Sequence, residues 1–208
     1  PMAGRQQAQT DLYKMVKIFA DHDYEVTVYP TRARLDCTRK VLEDAGRFDL
    51  VVCCGGDGTL NEMVSGMMQR QDRRPMGYIP LGSTNDLAVS LRLPTRVEEA
   101  ALRAVTGNEF HMDVGTLNDR YFNYIAAFGA FTETSYATPQ EIKNALGHLA
   151  YILEGVKSLG KILPIHVKIT ADDEQFEEDY LFGAVTNTIS LGGVLKLDPE
   201  KVLLDDGM

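Results

Sequence analysis

The chain has 208 residues, 44% of them apolar, and a formal charge of -9 at pH 7. That length and composition bury a real core in one large domain or two modest ones, so disorder is not the default. The charge leaves no basic footprint for duplex DNA or RNA, and it opposes adsorption to anionic lipid unless positive charge gathers on one face.

Residues 8–23 place Leu12, Met15, Val16, Phe19 and Ala20 at spacings of three and four, which predicts a first helix. Tyr24 to Tyr29 alternates and is rich in β-branched and aromatic residues, so a strand ending at Pro30 is expected. A second helix over about Leu35 to Ala45 closes at Gly46. Asp49 to Cys54 is a short continuous apolar run, the pattern of a parallel strand covered on both faces. Gly55-Gly56-Asp57-Gly58 breaks it, and a helical pattern resumes from Thr59 to Met68. Met76 to Leu81 reads as a strand, Gly82 to Asp86 as a polar loop, and Leu87 to Leu91 as a short helix. Strands alternating with helices predict an α/β fold built on a parallel sheet.

Beyond Pro94 a helix over Val97 to Thr106 precedes two segments, Phe110 to Gly115 and Tyr121 to Ala126, expected to pair around an Asn118-Asp119 turn. Residues 139–160 carry a helical stripe of Leu146, Leu149, Leu153, Val156 and Leu159, read either as core or as a wall of an apolar cleft. Ile165 to Thr170, Asp179 to Asn187 and Val194 to Leu197 are strand-like. The expected organisation is a parallel-sheet α/β domain over 1–108 and a β-rich, sandwich-like domain over 109–208.

Cys37, Cys53 and Cys54 lack a metal or redox spacing and suggest buried thiols in a reducing cytosol. No apolar run approaches the roughly 20 residues that span a bilayer, so a membrane encounter is expected to be peripheral. The chain opens at Pro1 and closes at Met208, just after the turn signal Asp205-Asp206-Gly207, which leads us to expect incompleteness at both ends.

The strongest chemical signal is Gly55-Gly56-Asp57-Gly58-Thr59-Leu60-Asn61-Glu62, directly between a buried strand and a helix. Glycines let the backbone approach an anion, and the helix that follows offers unpaired N–H groups and a positive dipole end. A carboxylate beside phosphates needs a cation, and magnesium is the usual one. Neither the P-loop pattern nor the dinucleotide fingerprint occurs. Taken alone, Gly55-Gly56 would equally suit a plain strand-to-helix turn with Asp57 as its cap.

The octet resembles the signature of the diacylglycerol kinase-like and sphingosine kinase-like lipid kinases, bacterial members included. Pro1-Met2-Ala3-Gly4-Arg5 is similar to the end of that family's Asn-Pro-x-x-Gly nucleotide loop, and Pro80 to Asp86 to its Pro-x-Gly-Thr-x-Asn-Asp loop. Asn123 to Gly129, Asn187 through Gly192-Gly193, and Pro199 with Asp205-Asp206-Gly207-Met208 resemble later family segments, although Lys201 replaces a residue that is often small. The resemblance implies transfer of a phosphoryl group from ATP, with Mg2+, to a lipid hydroxyl such as that of diacylglycerol. It implies nucleotide contacts at Pro1, Met2, Ala3, Gly4, Arg5, Thr31, Gly56, Asp57, Gly58, Thr59, Leu60, Asn61, Glu62 and Thr84. It implies magnesium contacts at Asp206, Leu203 and Met208, with Asp57 in a supporting catalytic role and the principal acidic base beyond residue 208. A cytoplasmic enzyme touching the membrane peripherally is expected, with homodimerisation open. The alternatives are an NAD kinase-like small-molecule kinase, disfavoured because no second Asn-Glu motif follows residue 110, and a non-catalytic nucleotide- or lipid-binding module.

Overall fold

A computed structural model describes residues 7–129, 163–191, 195–198, 202 and 204–205. They form two units, Pro1–Tyr124 with Asn187–Met208, and Ile125–Thr186. The described part of the first unit opens with helix α1 (Gln7–Ala20), which buries Met15 and Phe19 as its spacing predicts. The chain then turns at Asp23, whose φ of 64° is the left-handed conformation that Asp tolerates better than most residues.

Tyr24 to Tyr29 does not become a strand. The segment is extended, but no ladder forms on it among the described residues. It lies across a cavity of about 500 Å3 from the edge of the sheet, and apolar side chains such as Leu12, Val16, Val41 and Phe48 line that space. Alternation supplies side chains suited to a pleated surface, but a strand also needs a partner backbone within ladder reach.

Helix α2 (Asp36–Asp44) continues into a short 3-10 turn, Ala45–Arg47. Strand β1 (Val51–Gly55) pairs in parallel with β2 (Met76–Pro80), and α3 (Asp57–Met68) makes the crossover between them. Short helix α4 (Asp86–Ser90) and helix α5 (Val97–Thr106) follow. Leu60, Met63, Val64 and Met67 of α3 pack with Val41, Cys53, Tyr78 and Leu87 in one core cluster. Met15, Phe19, Ile79, Val97, Ala100 and Ala101 form a second. Two apolar clusters holding different faces of β1 and β2 explain why these strands read as continuous apolar runs. All three cysteines are free thiols; Cys53 is buried, whereas Cys54 is exposed and lines the cavity beside β1, so burial of every thiol does not hold.

The expected hairpin is shorter than its sequence suggested. β3 (Gly115–Leu117) and β4 (Arg120–Phe122) pair across Asn118-Asp119, and Asn118 takes φ 53°. Phe110 to Val114 stays outside the ladder, because β5 (Ile125–Gly129) pairs instead with β8 (Phe182–Thr186) in the second unit. That unit also holds the hairpin of β6 (Ile165–Ala171) and β7 (Glu174–Tyr180). The expected Asp179 to Asn187 strand is therefore split at Leu181. Two short antiparallel strands, β9 (Ser190–Leu191) and β10 (Leu195–Lys196), close the described topology in the first unit. A parallel sheet first and antiparallel pairs later is the α/β, then β-rich, class expected. The helix predicted over 139–160 lies outside the described residues.

Candidate active site

The turn between β1 and α3 is built from close backbone approach. A Cβ on Gly55 would stand 2.9 Å from Thr59 Cβ, and one on Gly82 would stand 2.5 Å from Gly56 Cα. Only residues without a Cβ let the two loops meet at Gly56 and Gly82. The Leu81 N–H donates to the Gly55 carbonyl at 2.8 Å, which extends the β1–β2 contact to this point. Gly56 occupies the N-cap position of α3 in an extended conformation, and no side chain caps the helix. Asp57 thus sits in the first turn rather than capping it, and α3 keeps the unpaired N–H groups and positive end that favour an anion.

Asp57 is the electrostatic centre of this turn. Its Oδ1 is buried and has no hydrogen-bond partner. Burial raises its pKa above the ordinary 3.8, and the negative charge of nearby Asp86 adds to that; backbone N–H groups of Leu87 and Asn85 pull the other way. Asp86 itself is only 2% exposed. The Asp86 charge thus opposes ionisation of Asp57, and a nearby cation would offset that penalty. The orphaned oxygen and the oxygen-only donor set fit a hard divalent ion. Among the described residues no group of three or more His, Cys, Asp or Glu side chains is placed to hold a metal by itself.

The second loop is shaped by Asn85, a residue absent from the sequence-derived site. Asn85 Oδ1 accepts the Gly82 N–H at 2.8 Å and the Tyr78 hydroxyl at 3.2 Å, while its Nδ2 donates to the Gly82 carbonyl at 2.9 Å. Its φ of 55° is left-handed, which Asn adopts at little cost. The clamp fixes Gly82 against Gly56 and leaves Thr84 half-buried beside the turn in sequence. The available signal is an Asn three residues after Gly82 in a polar loop, where its side chain bonds the backbone two or three residues away.

The other expected contacts divide. Thr31 and Thr59 line the same cavity. The loop carrying Thr31 is held by Asp36, which accepts the Tyr29 hydroxyl at 3.1 Å, the Arg32 N–H at 2.9 Å and the Arg39 guanidinium at 2.7 Å. That guanidinium first, and then the Arg32 amide, hold the Asp36 carboxyl down to about 2. Gly58 is exposed at the helix start. Leu60 instead points into the core. Asn61 donates to the Tyr121 carbonyl at 3.4 Å and accepts the Asn123 N–H at 3.3 Å. Glu62 accepts the Leu35 N–H at 2.9 Å. The side chains of Asn61 and Glu62 therefore tie the turn to its surroundings.

Pro1 to Arg5, Leu203, Asp206 and Met208 lie outside the described residues. Beside them in sequence, the Leu204 carbonyl accepts the Asp113 N–H at 2.8 Å and Asn187 Nδ2 at 3.4 Å. Asn187 Nδ2 also donates to the Asp113 carbonyl at 2.8 Å, joining these segments in a way no local pattern reveals.

The glycine-stacked strand-to-helix turn sets a largely buried acid at the start of a helix, and residues 1–117 match the diacylglycerol kinase catalytic domain. Over the whole chain the sequence is 37% identical to the diacylglycerol kinase of Bacillus subtilis (strain 168) and covers 69% of it. It is 32% identical to the diacylglycerol kinase of Staphylococcus saprophyticus, of which it covers 68%. A crystal structure of a diacylglycerol kinase from Bacillus anthracis str. Sterne superposes with a TM-score of 0.80 at 29% identity, over 99% of this chain and 68% of that one. The chain belongs to the diacylglycerol kinase catalytic-domain family. It is a kinase of that lipid-kinase class.

Proposed function

We propose that this kinase transfers the γ-phosphoryl group of ATP to a lipid hydroxyl, with diacylglycerol as the lipid. The observation that carries the reading is Asp57, a largely buried acid with an unpartnered oxygen at a turn where glycine backbones stack. The Gly56 to Thr59 backbone and the start of α3 would receive phosphate oxygens, Thr31 and Thr84 would contribute hydroxyls from neighbouring loops, and Asp57 would hold magnesium. Magnesium, when bound, neutralises charge on the transferring group. A cation held there would offset the Asp86 charge acting on Asp57, so nucleotide and metal would favour each other's binding. Asp57 assists the reaction through charge rather than as the sole proton acceptor.

We further assign nucleotide binding to residues 1–108 and lipid and metal contacts to 109–208, with Asp206, Leu203 and Met208 completing the magnesium site. The reaction is placed at the cytoplasmic membrane surface, where the substrate resides; no described helix is long and apolar enough to cross a membrane. The test is incubation with labelled ATP, with and without MgCl2, against diacylglycerol, a sphingoid base and NAD. Label on diacylglycerol only when magnesium is present is expected. Label on NAD, or no acceptor labelled at all, would replace this reading with one of its rivals.

A further inference from the structure

Behind the Asp57 turn lies a buried polar cluster that phosphate binding alone does not require. Ser190, 1% exposed, donates its hydroxyl to Asp86 Oδ1 at 2.6 Å. Thr188 is fully buried, donates to the Ser190 carbonyl at 3.1 Å and accepts the Ser190 N–H at 3.3 Å. Ser90 donates to the Asp86 carbonyl at 2.9 Å, accepts the Ile189 N–H at 3.1 Å and meets the Thr188 hydroxyl. Three hydroxyls thus lock residues 188–190 onto α4, at its first residue Asp86 and its last, Ser90. Only the Ser190 hydroxyl among them reaches the Asp86 carboxylate itself.

Burying neutral hydroxyls in a cluster gains little stability, because each exchanges water for a protein partner. A hydroxyl on a buried carboxylate differs: the bond is charge-assisted and directional, and it fixes where that charge points. Asp86 stands beside Asp57, because the backbone N–H groups of Asn85 and Leu87, the residues flanking it, both reach the Asp57 carboxylate. Where the Asp86 carboxylate points thus bears on the charge beside Asp57.

We infer that Ser190 is a positioning residue for the nucleotide site, acting through its hydrogen bond to Asp86 and coupling the 187–190 segment to the Gly56–Asp57 turn. This rests on the nucleotide-binding part of the function proposed above. Asn187, at the head of the same segment, bonds the carbonyls of Asp113 and Leu204. Hydrogen bonds thus run from the Leu204 carbonyl through Asn187 and the 188–190 segment to Asp86.

The test is a double-mutant cycle on the full chain, read by affinity for a fluorescent ATP analogue with MgCl2, by turnover and by Tm. Ser190→Ala is expected to weaken binding or turnover roughly 10- to 100-fold, the usual range for losing a hydrogen bond to a charged group. Ser90→Ala removes a hydroxyl of the same cluster that touches Asp86 only at its carbonyl, and stays within about threefold of wild type. In an Asp86→Ala background, adding Ser190→Ala changes affinity by less than about twofold. Losses that simply follow Tm in both serine variants, or an undiminished Ser190→Ala effect without Asp86, would overturn the inference. The Ser190 and Ser90 comparison decides the matter even where Asp86→Ala does not fold. A wild-type chain that binds the analogue but labels no lipid defeats the substrate reading alone, and one that binds no nucleotide defeats both.

Discussion

Asp57 is held in an environment that folding alone would not choose. Its Oδ1 lacks a partner, and burial, with the Asp86 charge, raises its pKa against the pull of the Leu87 and Asn85 N–H groups. A group whose folded pKa is raised weakens the fold as it ionises. The penalty opens as pH rises above the unfolded carboxylate value of 3.8 and is complete once pH passes the raised folded value. Asp57→Asn removes that charge at nearly constant volume. The variant is expected to melt at the same temperature or higher near neutral pH, with the gain shrinking as pH falls towards 3.8. Turnover should fall at least ~10²-fold, the scale of losing electrostatic stabilisation at a transferring group. Thermal melts from pH 4 to 8 beside kinase assays check both halves. A variant that loses stability in step with activity would make Asp57 a structural residue.

At the scale of elements, the β1–α3 turn and the loop after β2 act as one object because two glycines touch. Gly82→Ala drives a Cβ to within 2.5 Å of Gly56 Cα and 2.6 Å of Asn85 Oδ1, so the loops must separate. A loss of about 1–3 kcal/mol is expected, as for overpacking elsewhere, with nucleotide affinity lost as well. Gly58→Ala supplies the contrast, since a Cβ there meets nothing within 4 Å. Ala is the better helix former, so the variant should melt no lower than wild type. If phosphate approaches this turn, its KM for ATP still rises at least roughly 10-fold, because the new methyl occupies ligand space rather than protein space. Thermal melts and ATP titrations of the two variants separate a glycine needed for folding from one needed for a ligand. An unchanged KM in a stable Gly58→Ala would remove the phosphate from this position.

For the molecule as a whole, what the sequence made legible was local. Met63, Val64 and Met67 announce α3 by period, Val51 and Val52 announce a covered strand, and Gly55 to Gly58 mark the turn between them. Illegible were contacts whose partners lie far along the chain. Ser190 reaches Asp86 across 104 residues, and Asn61 reaches Asn123 across 62. Tyr24 to Tyr29 alternates like a strand, yet whether it pairs depends on backbone elsewhere. β7 was missed over Glu174 to Glu178 because Glu174, Gln175, Glu177 and Glu178 are all solvent-exposed, which erases a two-residue apolar period. The same separation between local signal and distant contact shapes the final prediction. Thr31, Thr59 and Thr84 each follow the extended segment, β1 or β2, and ligands of open α/β sheets gather beyond the carboxyl ends of strands. Hydrogen exchange with a non-hydrolysable ATP analogue and magnesium should therefore slow at residues 55–62 and 82–86. Slowing should extend to 188–190, where hydroxyls join that segment to α4. The β6–β7 hairpin makes its strongest contacts within itself and should exchange at an unchanged rate. Protection confined to 165–186 would move nucleotide binding out of the glycine turn and into the second unit.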